Sequence, residues 1–393
     1  MERFLKPEAA LPEDGLTGTL VGRAWVPGDP PGPSVVALRE DGVYDITRVA
    51  PTMSDLLELA SPAQIAREAE GERIGSVEEV LTNSHADVRN PDRPYLLTPV
   101  DLQALKAAGV TFIASLLERV IEEQARGNPE RADAVRARIT DLIGTSMADI
   151  RPGSEAAQRL KAHLVAEGAW SQYLEVGIGP DAEIFTKAQP MSAVGTGAEI
   201  GVRADSTWNN PEPEVVLVVN SAGDVAGATL GNDVNLRDFE GRSALLLPKA
   251  KDNNASCAIG PFIRLFDDSF SIDDVRSTQV SLLVEGARDG YRIEGISAMS
   301  RISRDPLDIV EQAIGPDNQY PDGFALFLGT MFVPAEDRDG PGQGFTHKRG
   351  DLVVIRSAAL GALANRVTTS DAAPPWTFGL RALMRNLNAR GLL

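Results

Sequence analysis

WNNPEPEVVLVVN, residues 208–220, and GATLGNDVNLRDFEGRSALLLPKAKDNNASCAIGPF, residues 227–262, decide how the rest of the chain is read. Glu212 and Glu214 stand two residues apart at the entrance of the apolar run Val215 to Val219. Side chains alternate along a strand with period 2, so a strand that includes both glutamates turns both carboxylates to one side. The turn Asn220-Ser-Ala-Gly-Asp224 then leads to a second apolar run, Val225 to Leu230, and to Gly231-Asn232-Asp233. A hairpin of that length returns Asp233 to the level of the two glutamates, and three carboxylates converge.

Burial and mutual repulsion both oppose the ionisation of three such groups unless a cation lies between them. All-oxygen ligands suit a hard divalent ion such as Mg2+, which keeps part of its coordination for water or substrate. The spacing alone is equally compatible with an acidic strand edge facing water.

The order of motifs adds to this reading. Glu-x-Glu on a strand is followed by Asn232-Asp-Val-Asn-Leu-Arg-Asp238, and Lys251 stands nine residues before Gly260-Pro261. This resembles the fumarylacetoacetate hydrolase family, whose pattern runs Glu-x-Glu, Asn-Asp-x-Ser-x-Arg-Asp, then a lysine nine residues before Gly-Pro. Weaker matches continue at Gly329-Thr330, Gly350 to Ile355 and Gly361 to Arg366, so the resemblance covers roughly Leu96 to Thr369. It implies an α+β, β-rich fold, a mixed β-roll with the metal in its mouth, paired as a homodimer or a dimer of dimers. It also implies Mg2+, with Mn2+ tolerated, on Glu212, Glu214 and Asp233.

Length and composition bound the remainder. The 393 residues suit two or three domains with a sizeable core. A formal charge of −18 and a pI near 4.7 argue against nucleic acid or an anionic membrane as partner. The single cysteine, Cys257, excludes an internal disulfide and reads as a small core residue of a reducing compartment. MERFLKPEAALPEDG has no apolar signal core and no long apolar run follows, so a soluble cytoplasmic protein is expected.

Taken in order, residues 1–95 read as a small α/β domain with strands at Leu20 to Val26 and Val35 to Leu38 and a capping box at Ser76 to Glu79. Residues 96–393 form the catalytic domain, with a helical insertion at about 118–170. Ile113, Leu116, Leu117, Val120 and Ile121 recur at helical spacing, and the charged face with Glu118, Arg119, Glu122 and Glu123 reads as solvated surface or a subunit contact. Asn128-Pro129 caps a second helix, Glu130 to Ile143, and Ser154 starts a third. Gly195 to Gly201 imitates a dinucleotide fingerprint, but its third glycine is one residue late and no strong helix follows; Gly197 and Gly201 are assigned to turns. Trp376 to Leu393 is read as a docked helix on Leu380, Leu383, Met384 and Leu387.

The resemblance also bears on chemistry. Hydrolases of the family carry Asn-Tyr-x-x-His-x-x-Glu in a lid, and the corresponding stretch here is Thr111 to Glu118, with Ser115 in the histidine position. A serine is no general base near neutral pH without its own activator, which puts carbon–carbon hydrolysis in doubt. Glu183-Ile-Phe-Thr-Lys187 is similar to the stretch of the family's 2-keto-3-deoxy sugar-acid dehydratases. It implies conversion of 2-dehydro-3-deoxy-D-arabinonate to 2,5-dioxopentanoate and water, in oxidative pentose catabolism. Glu183 and Lys251 are the expected catalytic pair, and Lys187, Thr330, Arg237, Ser115 and Glu118 the expected substrate contacts. Two alternatives stay open: a diketo-acid hydrolase (acylpyruvase) or oxaloacetate-type decarboxylase on the same metal site, and a non-catalytic metabolite-binding protein. His347 is a further candidate on a polar loop; His85 and His163 are read as surface residues.

Overall fold

The structure, a computed structural model, describes residues 1–126, 128, 131–132, 135, 150–166, 168, 170–334 and 336–393. The predicted second helix over Glu130 to Ile143 lies, for nearly all its length, outside the described residues.

The N-terminal part folds as β1 (Leu20–Val26), β2 (Gly32–Arg39), β3 (Gly42–Asp45), β4 (Glu72–Gly75) and β5 (Tyr95–Leu96). The chain continues through β6 (Ala104–Gly109), the helix Ile113–Ala125, the helices Glu155–Ala166 and Gln172–Ile178, and β7 (Glu183–Ala188). Next come β8 (Glu199–Val202), β9 (Asn209–Asn210), β10 (Pro213–Val219), β11 (Val225–Asp233), β12 (Asn235–Leu236) and β13 (Cys257–Leu265). The last strands are β14 (Gln279–Glu285), β15 (Arg292–Ala298), β16 (Phe324–Phe327), β17 (Leu352–Ser357) and β18 (Gly361–Thr369).

One large sheet runs β4-β3-β2-β1-β13-β11-β10-β16-β6-β7, with β5 on β1; a smaller one runs β15-β14-β17-β18-β8. Pairing is antiparallel except for β16 with β6 and β18 with β8. The α+β class and the mixed sheets are therefore as expected. Strand β1 joins β13 through Leu20 opposite Arg264 and Val21 opposite Ile263. The large sheet thus runs continuously across residue 95.

Strand β10 explains why Val215 to Val219 is apolar at every position. Val215, Leu217 and Val219 face the smaller sheet and pack with Val280, Leu282 and Ile355. Val216 and Val218 pack on the opposite side with Met53, Leu56 and Leu57. A strand covered on both faces needs no polar alternation. The turn back to β11 is built by Asn220, whose side-chain oxygen accepts from the backbone N–H of Ala222 (3.0 Å) and Asp224 (2.8 Å). Pro213 then pairs with Asn232, and Glu214 with Gly231.

Two local expectations change. Gly201 lies inside β8, not in a turn; a side chain there would meet the Asn254 carbonyl at 2.4 Å. In the C-terminal helix Leu380–Ala389, Leu383 and Leu387 are buried against Met191, whereas Leu380 and Met384 are exposed. Among the described residues, no helix is long and apolar enough to cross a membrane.

Candidate active site

The β10–β11 hairpin delivers the carboxylates as its length demands. Oxygen atoms of Glu212, Glu214 and Asp233 lie within 4.8 Å of one another, and all three residues are buried. Glu212 sits one residue ahead of β10, and its carbonyl accepts from the backbone N–H of Asp233 at 3.1 Å. Glu214 is anchored from β16 and the segment after it: the Gly329 N–H donates to Oε2 at 2.7 Å and the Thr330 hydroxyl to Oε1 at 3.1 Å. Gly329 makes that approach in the left-handed region, at φ 105°.

Cations bracket the set. Lys251, which ends the short helix Leu247–Lys251, donates to Glu212 Oε2 at 2.6 Å and to Asp233 Oδ2 at 2.9 Å. Lys187 pairs with Asp233 Oδ1 at 2.9 Å. Arg119 reaches Glu212 Oε1 from the helix Ile113–Ala125. Burial works against ionisation of Asp233, but the Lys187 and Lys251 ammoniums overcome it and hold that carboxyl below its usual value. Glu214 is pushed well above the carboxylate range, first by burial and then by Asp233 and Glu212. A buried, all-oxygen, mutually repelling donor set fits a hard divalent ion such as Mg2+, and Glu212, Glu214 and Asp233 are the residues that can hold it.

Glu183 opens β7 directly opposite Gly109 of β6. Its carboxyl lies over Gly109, where a β-carbon would stand only 1.8 Å from Oε2, so the bare glycine is what admits it. Burial raises its pKa, while Arg119 and Lys251 pull the other way. Glu183, Phe185, Lys251, Thr330 and Ser115 share one cavity with the three carboxylates. Its free volume is about 10 Å3, room for about one water molecule.

The remaining expected contacts sit elsewhere. Lys187 shares the β7 face of Glu183 and Phe185, but its ammonium is fully buried behind the cavity, donating to the carbonyls of Lys251 (2.6 Å) and Val234 (3.3 Å). It braces Asp233 and touches no cavity space. Arg237 and Glu118 are also set back, paired with each other at 3.4 Å. Ser115 lines the cavity but donates its hydroxyl to the Phe112 carbonyl at 2.9 Å, a helix-internal bond. His347 is fully buried beside Asp351 (3.7 Å) and against the Phe345 ring, away from the cavity walls.

The charged face of the helix Ile113–Ala125 was expected as solvated surface or a subunit contact, and the structure instead buries part of it within the chain. Arg119 and Glu122 are buried. Arg119 Nη1 contacts Glu122 Oε2 at 2.6 Å and Glu240 Oε2 at 3.1 Å, and Glu122 Oε1 meets Arg237 Nε at 2.7 Å. Arg237 lies over the Trp208 ring at 5.0 Å. Burial, outweighing Arg119 and Lys251, raises the Glu240 carboxyl to about 7. Arg119, Glu122 and Glu240 were all missed; the available signal was two Arg–Glu pairs at i, i+3, Arg119–Glu122 and Arg237–Glu240.

No protein-family model matches the chain. Over 343 residues it is 29% identical to a "Probable 2-keto-3-deoxyxylonate dehydratase" of Haloferax volcanii, covering 85% of this chain and 95% of that one. Over 185 residues it is 35% identical to a "2-dehydro-3-deoxy-D-arabinonate dehydratase" of Saccharolobus solfataricus, covering 47% of this chain and 58% of the relative. Among solved structures it matches "2-keto-3-deoxy-D-arabinonate dehydratase complexed with magnesium and 2,5-dioxopentanoate" at TM-score 0.62 and 21% identity, covering 89% of this chain and 99% of that one. A fumarylacetoacetate hydrolase from Exiguobacterium antarcticum matches at TM-score 0.51 and 18% identity, over 89% of this chain and 99% of the other. The resemblance read from the motifs is borne out, and the chain has the fumarylacetoacetate-hydrolase-like fold.

Proposed function

We propose that this chain is a Mg2+-dependent hydro-lyase that removes water from a 2-keto-3-deoxy sugar acid, with 2-dehydro-3-deoxy-D-arabinonate as substrate and 2,5-dioxopentanoate as product. The observation that carries the reading is the meeting of Glu212, Glu214 and Asp233 in one cavity with Lys251 and Glu183. The two dehydratases similar in sequence support it.

An ion held by the three carboxylates would supply Lewis-acid charge at the carboxylate and keto oxygens of the substrate, which acidifies the C3–H. The chain's own residues then divide the work. Lys251 brings a positive charge to the same edge and steadies the anionic oxygen that develops as C3 loses its proton. Glu183, from the β7 side, gives a proton to the departing C4 hydroxyl, so that water leaves and a C3–C4 double bond forms. Burial raises its pKa above the ordinary glutamate value, the direction a proton donor needs. The C3–C4 double bond then shifts, a proton leaving C5 and one returning to C3, to give the C4–C5 enol, and protonation of that enol at C4 yields the C5 aldehyde; substrate balances against product plus one water.

The hydrolase alternative is disfavoured by Ser115, whose hydroxyl is spent on Phe112, and by His347, which packs beside Asp351 and Phe345 and is not among the cavity's lining residues. Neither residue is arranged to activate water. The oxidative pentose route and assembly as a homodimer or dimer of dimers belong to this proposal as its finer parts; light scattering of the purified protein tests the second. The activity test is product analysis on a keto-acid panel with and without a chelator. Chelator-sensitive aldehyde formation with the carbon chain intact is expected. Chain cleavage or CO2 release would replace the reading with a hydrolase or a decarboxylase, and binding without turnover would replace it with a metabolite-binding protein.

A further inference from the structure

We infer that Arg119 is a positioning residue that exchanges Glu212 for the anionic end of a 2-keto acid, so that ion binding and substrate binding are coupled through one guanidinium. The inference rests on the proposed function above and adds a residue and an order of binding to it.

The guanidinium is held at one end and free to change partner at the other. Nη1 is fixed by Glu122 and Glu240. Glu122 is itself fixed by Arg237, which lies over the Trp208 ring. Nη2 alone contacts one of the three clustered carboxylates, Oε1 of Glu212. Lys251 takes the other oxygen, Oε2, of the same carboxylate. Both oxygens of Glu212 thus have cationic partners, and a divalent ion ligated there competes with both of them for the same carboxylate.

Lys251 has a second carboxylate, Asp233, and stands on a helix packed against the sheet edge. Arg119 has no second ligand-type carboxylate, and like charge drives it away from an ion on Glu212. Nη2 is therefore the contact that yields, while Nη1 keeps the side chain at the cavity wall. The free edge of a guanidinium is suited to carboxylate oxygens. With Arg119 across Glu212 the cavity has a free volume of only about 10 Å3, too little for a keto acid; the same movement that frees Nη2 makes room for one.

Calorimetry on wild type, Arg119→Gln and Arg119→Lys tests the exchange, with Mg2+ as one titrant and pyruvate, on Mg2+-loaded protein, as the other. Arg119→Gln is expected to bind Mg2+ about tenfold more tightly and pyruvate about tenfold more weakly. Arg119→Lys is expected to restore part of the pyruvate affinity. Loss of structure alone would weaken both ligands, so shifts of opposite sign are the signature. Weakening of both, or unchanged Mg2+ affinity, overturns the inference. Hydrogen exchange on wild type gives a second readout that needs no variant. Amides of 113–125 should exchange faster with Mg2+ alone and slow again when pyruvate is added. Protection by Mg2+ alone overturns the inference, and a wild type that binds neither ligand overturns the reading of the site together with it.

Discussion

Gly109→Ala isolates the placement of the Glu183 carboxyl from its chemistry. A methyl group on residue 109 would stand 1.8 Å from Glu183 Oε2 and 2.7 Å from Cδ. Carbon–oxygen contacts settle nearer about 3.5 Å, so the carboxyl must retreat by about 1.7 Å. The clash is with the far end of a flexible side chain, and Gly109 is not in the left-handed region. The fold should absorb the change within about 1 kcal/mol. A reacting group displaced by an ångström costs about 10²-fold, and the ceiling is the whole acid–base contribution, about 10²–10⁴-fold. Gly109→Ala is therefore expected to lower turnover of 2-dehydro-3-deoxy-D-arabinonate by about 10²-fold, with Mg2+ affinity by calorimetry and the melting temperature near wild type. Glu183→Gln should fall at least as far. The double variant should fall no further than Glu183→Gln, because both changes act through one carboxyl. Near-wild-type turnover in Gly109→Ala would remove the Glu183 carboxyl position from the mechanism. Additive losses would mean that the two residues act separately.

Further outcomes follow from the same geometry. Asp233→Ala removes one ligand and the charge that Lys187 and Lys251 share, so calorimetry should find Mg2+ binding lost; retained affinity would reassign the ligand set. Lys187→Met leaves Asp233 short of a buried partner and should lower the unfolding free energy by about 3–5 kcal/mol in denaturant titration. An unchanged midpoint would show that Lys187 does not brace the site. Cys257 is buried, and burial pushes its thiol up to about 12. At pH 8 it stays protonated and shielded, so iodoacetamide should label it only in denaturant; rapid labelling of the native protein would contradict the packing of β13.

What the sequence disclosed and what it hid have a common physical cause. The hairpin was legible because its signals are local: a continuous apolar run, an Asn-led turn, and carboxylates placed by strand length at both open ends. Glu183 and Lys187 were both read from the resemblance of the stretch Glu183-Ile-Phe-Thr-Lys187, which gave Glu183 as an acid–base group and Lys187 as a substrate contact. Period gives the face of a strand and not the depth along it, and two residues beyond Phe185 the side chain has passed the cavity and reached the back of Asp233. The pairing of β1 with β13 joins residues more than two hundred positions apart, for which no local pattern exists. The hardest case was the helix Ile113–Ala125. Leu116, Val120 and Ile121 face the cluster with Leu174 and Ile178, and the opposite arc is charged, as on any surface helix. Here Arg119 and Glu122 of that arc are buried as well, against a second charged surface, and a hydrophobic pattern cannot distinguish water from an ionic partner. Complementary charge could have marked it: Arg119 and Glu122 on this helix answer Arg237 and Glu240, which lie in the short segment directly after Asp233. The chain leaves Asp233 through β12 and enters the short helix Arg237–Glu240, which carries Glu240 to the wall of the same cavity and its partner Arg119 with it. Arg119 comes to Glu212 by that route and is better understood as part of the wall of the candidate site than as surface.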